Sequence, residues 1–418
     1  MLPQPTHASV IDTVASPLTT VNRRWRFATG CGGVQPEYRE PPTATAPVFA
    51  WSLRCSTGRV AARVRTASVL LVCATAVLVT AVSPRAQQQA LPHFTIVDLG
   101  TLGGDSSQAA GINLLGDVVG SSTLANGRTH GFVYRVGLMF DIGTFAGGTE
   151  SYATAISDNR VIVGYSGINC CAASAIPEFK YIGFVWQNGT MQSVGAWYCW
   201  CSFNRRYGDS SSFAVNNAGI AVGWARDFGL GTPMHAFRFH DGRLDNIGDT
   251  TGNGGAISIA YGINDVGEVT GVNDGQAFLL RNGVRQVLGI PPGFTRSEGR
   301  AINGKGQIAG ILLNATTGIS RGFFWDLGTM GGLEPWPGDA SSEALAMNIS
   351  SDIVGRSGSA GFATSRAMLW RNATGVDLNA LVSDNSWMMQ TATGINNIGQ
   401  IVGTGVHNGQ TRAFLLQP

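Results

Sequence analysis

The pattern Gly-Ile-Asn-x-x-Gly-x-Val-Val-Gly, intact or worn, occurs seven times between Leu91 and Pro418, with its cleanest copy running from Gly394 to Gly403. A fixed motif repeated along a chain sets the architecture before any other argument, because each copy must form the same small unit and bury its apolar face against the next. The closing glycines are Gly120, Gly164, Gly223, Gly271, Gly310, Gly355 and Gly403, so the interval varies between 39 and 59 residues. One unit joined by loops of variable length accounts for that irregularity. An asparagine opens the turn at Asn113, Asn216, Asn264, Asn303, Asn348 and Asn396; the second copy reads Ser157-Asp158-Asn159 instead.

Two further elements follow each copy. The first is a triplet such as His130-Gly131-Phe132, His235-Ala236-Phe237 or Arg412-Ala413-Phe414, and the second is an Asp-Leu-Gly or a variant of it, as at Asp98-Leu99-Gly100 and Asp141-Ile142-Gly143. Between them stand Asn188-Gly189, Asp241-Gly242 and Asn282-Gly283. Asn-Gly or Asp-Gly flanked by apolar runs is the strongest short-range hairpin signal. The Asn-x-x-Gly turn fits a type I turn closed by a left-handed glycine. No helical periodicity is present after residue 90. Four short strands per unit, here named a to d, define a propeller blade. Strand a is the small-residue run before the asparagine, b carries Val-Val-Gly, c the aromatic triplet and d the Asp-Leu-Gly.

The phase of the chain predicts how the ring closes. The repeats open on a lone strand d, Phe94 to Leu99, and end on a strand c, Ala413 to Leu416. Pairing the two ends completes the last blade and removes an open sheet edge. The expected fold is therefore an all-β, seven-bladed β-propeller closed by its own N- and C-terminal strands. A stacked β-solenoid is the competing arrangement; it requires more uniform spacing and no complementary ends.

The first 86 residues differ in character. They hold 9 of the 28 Lys and Arg but only 3 of the 26 Asp and Glu, so the net +2 of the whole chain hides a repeat region that is net negative. The basic excess is thus a property of the leader and gives no reason to expect nucleic-acid binding. Residues 59–86 read as a secretory signal. Arg59, Arg63 and Arg65 precede an apolar run from Val69 to Val82, and small residues follow at Ala81, Ser83 and Ala86. Such a run suits a signal and is short for a membrane span, although an uncleaved anchor is the other reading. Residues 1–58, rich in Pro, Thr and Arg, are either a disordered extension or lie upstream of the true start near Val60. No stable membrane anchor is expected after cleavage, and the chain is expected in the extracellular space or the periplasm.

Four cysteines remain after the signal, Cys170, Cys171, Cys199 and Cys201, all within the longest interval of the repeat. An even, local set in a secreted chain predicts one or two disulfides. Zinc is the alternative, but Cys-Cys and Cys-x-Cys lack the usual Cys-x-x-Cys spacing.

Taken together, Asp-Leu-Gly-Thr-Leu-Gly-Gly at 98–104, the Gly-Ile-Asn…Val-Val-Gly copies and His235-Ala236-Phe237 resemble the HAF family, probable extracellular bacterial repeats named for the His-Ala-Phe triplet. The resemblance covers Leu91 to Pro418, and only one copy here keeps the literal triplet. It implies secretion and repetition but no activity, so no catalytic residue is carried over. Some family members end in a sorting anchor; this chain ends at Pro418 without an apolar tail, which points to release or periplasmic residence.

No nucleotide, metalloprotease, hydrolase-elbow or calcium-loop pattern is present, and neither cofactor nor metal is expected. The histidines of the triplets are replaced by arginine in other copies, which favours a structural role. Two candidate sites remain. Asp105, Glu150, Asp209, Glu298 and Asp339 recur just before strand a and are expected around the channel mouth. There they would hold a cation or sugar hydroxyls, or simply start the strand by bonding nearby amides. The insertion carrying Trp197, Tyr198, Trp200 and Phe203, with Trp336 in another d–a loop, suits a stacking platform braced by disulfides, or a local mini-core. The favoured function is a secreted, non-catalytic module that binds a glycan or a protein. The alternative is a propeller hydrolase or lyase acting on extracellular polysaccharide, which needs carboxylates converging within about 5–10 Å. N-terminal sequencing of the cell-associated precursor is expected to begin near Val60; recovery of residues 1–58 would overturn that start.

Overall fold

The computed structural model describes residues 93–170, 178–195, 209–226, 233–248 and 257–418. The leader and extension lie outside the described residues, and no described helix is long and apolar enough to cross a membrane. The described strands form seven four-stranded antiparallel sheets. Six are consecutive meanders, spanning 103–141, 148–193, 210–246, 258–287, 296–333 and 341–377. The seventh joins Trp387–Ile395, Ile401–His407 and Gln410–Gln417 to the first strand of the repeats, Thr95–Asp98. Thr95 pairs with Gln417 and Asp98 with Phe414, which is the closure the strand phase predicts. Each innermost strand packs on those of both neighbouring blades, so the seven sheets form a closed β-propeller.

The closing glycine of each motif has a steric cause. In all seven blades strand a slips register by one residue opposite strand b, a β-bulge that drives a carbonyl toward its partner. A Cβ on Gly310 would lie 2.0 Å from the Glu298 carbonyl oxygen and 2.6 Å from the ring of Phe323. Gly120 and Gly403 meet the carbonyls of Gln108 and Thr391 at 2.0 Å in the same way. The aromatic of each triplet sits across from this glycine, as Phe132 does from Gly120 and Phe414 from Gly403, and is fully buried between blades. Met368 takes that place in blade six.

Two sets of side-chain hydrogen bonds sew the blades together. The motif asparagine accepts from its own turn through Oδ1, as Asn264 does from Glu268 N at 2.9 Å. Its Nδ2 reaches the equivalent carbonyl of the next blade. These bonds run Asn113 to Ser157, Asn216 to Asn264, Asn264 to Asn303, Asn303 to Asn348, Asn348 to Asn396, and back from Asn396 to Asn113 at 3.0 Å. Where the second copy lacks asparagine, Asp158 N donates instead to Asn217 Oδ1 at 2.8 Å. The second set uses a serine near the start of strand a. Ser151 Oγ accepts from Gly131 N at 2.9 Å and donates to Gly143 O at 2.6 Å, both in the preceding blade. The small middle residue of the triplet leaves room for the strand that carries that serine: a Cβ on Gly131 would lie 3.1 Å from Ala153 N.

Replacing Gly310 by alanine is expected to cost about 3 kcal/mol by overpacking. Gly318→Ala, at a b–c turn with φ of +68° and open space around it, should cost about 1 kcal/mol from backbone strain alone. Urea unfolding of the two variants measures the difference, and equal costs would refute the steric account.

Candidate functional site

A meander of four antiparallel strands brings the d–a connections and the b–c hairpins to one face of the ring and the asparagine turns to the other. The first face carries the five candidate acids and Trp336. Trp197, Tyr198, Trp200, Phe203, Cys171, Cys199 and Cys201 lie outside the described residues. Cys170 ends the strand Ile162–Cys170, but its side chain also lies outside them.

The five acids are described, and they do not share one arrangement. Asp105 is exposed on strand a of blade one. Asp209 stands 3.9 Å from Arg226 Nη1. Glu298 accepts from Arg296 Nε at 2.6 Å and also from Arg300. Asp339 accepts from Arg366 Nε at 3.1 Å and from Ser357 Oγ at 2.8 Å. Glu150 accepts from the Tyr181 hydroxyl at 2.5 Å and the Tyr152 hydroxyl at 3.3 Å. Of the Asp and Ser residues expected to start the strand by bonding backbone amides, it is the serines that do so.

Glu150 organises a cluster that the sequence reading did not single out. Tyr152 and Tyr165 stack with centroids 5.1 Å apart, and Tyr181 meets Tyr165 edge-on at 5.3 Å. The hydrogen bond to Glu150 is the largest of the causes that push the Tyr181 phenol up, followed by burial. Burial leads for Tyr152 and Tyr165, with the charge of Glu150 adding to it. A second group follows from the bulges. The bulged residue is Ala110 in blade one and Thr154 in blade two, but Phe213, Tyr261 and Arg300 in blades three to five. Phe213 stacks on Tyr261 at 5.4 Å, and the Arg300 guanidinium lies 4.1 Å above the Tyr261 ring. The signal for this ladder was an aromatic or arginine at a register position that blades one, two and seven fill with alanine or threonine and blade six with Leu345.

Trp336 is half-buried, packs on the apolar cluster of Leu333, Ala344 and Met368, and has the Arg366 guanidinium 5.9 Å from its ring centre. Arg366 opens the triplet of blade six, and its Nη1 also donates to Asp377 Oδ2 at 3.0 Å. The same position in blade one holds His130, whose Nδ1 lies 2.8 Å from Asp141. In blades one and six the leading residue of the triplet therefore bonds the aspartate of Asp-Leu-Gly in its own blade, a structural role for His130 and Arg366 alike, whereas Arg321 pairs with Glu334 at 3.4 Å. Arg366 differs in reaching a second carboxylate. Burial works against its positive charge, yet Asp377 and Asp339 together hold its pKa above the usual arginine range. Taken together, the face offers neutral phenol and guanidinium donors, carboxylate acceptors and aromatic edges, a set suited to hydroxyl-rich or peptide ligands.

No family model and no curated protein matches the chain. Solved structures with a related fold include YCF48 bound to D1 peptide, at 12% identity and a TM-score of 0.43 over 78% of this chain and 96% of that one. A gluconolactonase from Xanthomonas campestris gives 10% and 0.36 over 78% and 90%. An acylaminoacyl peptidase from Pyrococcus horikoshii gives 10% and 0.45 over 73% and 51%. These likenesses carry no argument about ligand or chemistry.

Because the fold keeps the phenols around Glu150 protonated, their contribution is fully present below the ordinary tyrosine value of 10.0 and is lost as the pH rises through their higher folded values. In Glu150→Gln, phenolate absorbance is expected at lower pH than in the wild type. An unchanged ultraviolet titration would show that the carboxylate does not hold these tyrosines.

Proposed function

We propose that the chain is a secreted, non-catalytic propeller that binds a glycan or an exposed protein segment on its d–a face. One observation carries this reading: Glu150, Asp209, Glu298 and Asp339 are each engaged by a guanidinium or a phenol. Glycosidase-type chemistry needs one carboxyl free to protonate a leaving oxygen and a second facing it across the scissile bond. Carboxylates whose oxygens already accept from fixed donors are placed to hold side chains and ligand hydroxyls in position.

The compartment belongs to the same proposal. It rests on the signal-like segment 59–86 and on the local cysteine set, both of which lie in or beside residues of the sequence rather than of the described fold. A glycan array and an assay for newly released reducing ends, run on one preparation of the protein, test the reading. Binding without release is expected. Turnover of any polysaccharide would replace it with the hydrolase or lyase alternative.

A further inference from the structure

Six of the seven seams between blades carry the serine described above: Ser107, Ser151, Ser210, Ser258, Ser297 and Ser342 each accept from a backbone N–H of the preceding blade at 2.9–3.0 Å. The seam between blades six and seven is built differently. At the serine's register stands Met389, paired with Gly405 as Ser151 is paired with Ser166. Asn379 substitutes for the missing hydroxyl. Its Oδ1 accepts from Met389 N at 2.7 Å and its Nδ2 donates to Met389 O at 3.0 Å. Asn379 lies in a 3-10 turn, Leu378–Leu381, at the position where five of the other blades place a glycine and blade five Glu334.

This departure coincides with a cleft of about 400 Å³ on the d–a face. Its walls include Arg366, Asp339, Asp377, Asn379, Trp387 and Met388. The volume falls in the range of about 300–1,000 Å³ typical of small-molecule sites. Arg366 is clamped between Asp339 and Asp377 at 3.1 and 3.0 Å, so its position is fixed before any ligand arrives. The three charges leave the cleft net negative, which disfavours an anionic ligand. Two carboxylates, a guanidinium and an amide alternate acceptors with donors in planar groups. Vicinal hydroxyls, each of which both donates and accepts, match such a set. Met388 is 54% exposed and offers an adaptable apolar contact. Trp387 is buried and stacked on His407 with centroids 4.5 Å apart, so it offers no open face for a ring to stack on.

We infer that the cleft between blades six and seven is a sugar subsite that takes one or two pyranose rings of a neutral oligosaccharide. The subsite deepens the glycan-binding reading above and rests on it. Polar contacts come from Arg366, Asp339, Asp377 and Asn379, and the C–H face of the sugar ring lies on Met388.

The full chain, titrated with neutral, uronic-acid and amine-bearing oligosaccharides, tests the assignment. Neutral oligosaccharides are expected to bind. Ser365→Trp, which fills the cleft from its half-exposed rim, and Met388→Ala, at an exposed position, are expected to weaken binding about tenfold or more while leaving the thermal unfolding midpoint near wild type. If neutral glycans bind the wild type and both variants equally well, the subsite is wrong and the glycan reading survives. Binding confined to charged oligosaccharides overturns the ligand class. Binding to no glycan at all overturns both the subsite and the glycan reading.

Discussion

The ring is held by hydrogen bonds that cross every seam between blades, and the rest of the structure is arranged around them. A blade alone is a small twisted sheet with two apolar faces, and it becomes stable only when both are covered. Apolar packing supplies the driving force but little direction, whereas hydrogen bonds fix each blade against the next at a set depth. The asparagine amide does this on one face of the ring, and the serine hydroxyl does it near the other. Breaking one such bond leaves a buried donor or acceptor unpaired, a cost of roughly 1–3 kcal/mol. Conflict between local turn and global ring is avoided because one amide serves both: Asn264 closes its own turn and bonds the carbonyl of Asn303 in the next blade.

The recurring residues are accounted for by this construction. The closing glycine admits a carbonyl pushed outward by the bulge, the aromatic of the triplet fills the seam, and the small residue before it makes room for the next blade's innermost strand. In blades one and six the leading histidine or arginine bonds the aspartate of the outer strand. Side chains not spent on this construction gather where one copy departs from the others: the tyrosines around Glu150, the Phe213–Tyr261–Arg300 ladder, and the seam where Met389 stands in place of serine. The ladder's rings are largely occupied with one another, which makes it a stiff seam. The cleft beside Arg366 is open, and it holds the freer chemistry.

Much of the architecture was legible because a propeller writes itself in local signals. Asn188-Gly189 and Asn282-Gly283 specify hairpins through positive φ at both positions, and they adopt it. The lone opening strand and the missing closing one specified the pairing of Asp98 with Phe414, since an unpaired edge is a liability in any sheet. The partners of the acids were not legible. Asp339 meets Arg366 across 27 residues of chain, and Glu150 meets Tyr181 across 31, distances that carry no periodic signal.

The sequence by itself determined the number of blades, the strand order within each, and the joining of the two ends. These follow from turn chemistry and from the count of strands, both local properties. Only the tertiary structure decided which side chains face each other across a seam. Those neighbours come from different blades, and their approach depends on a one-residue bulge and on the twist between adjacent sheets. That is why the asparagine could be read as a turn former but not as the link to the next blade, and why Arg366 could be read as a worn histidine but not as the centre of a cleft.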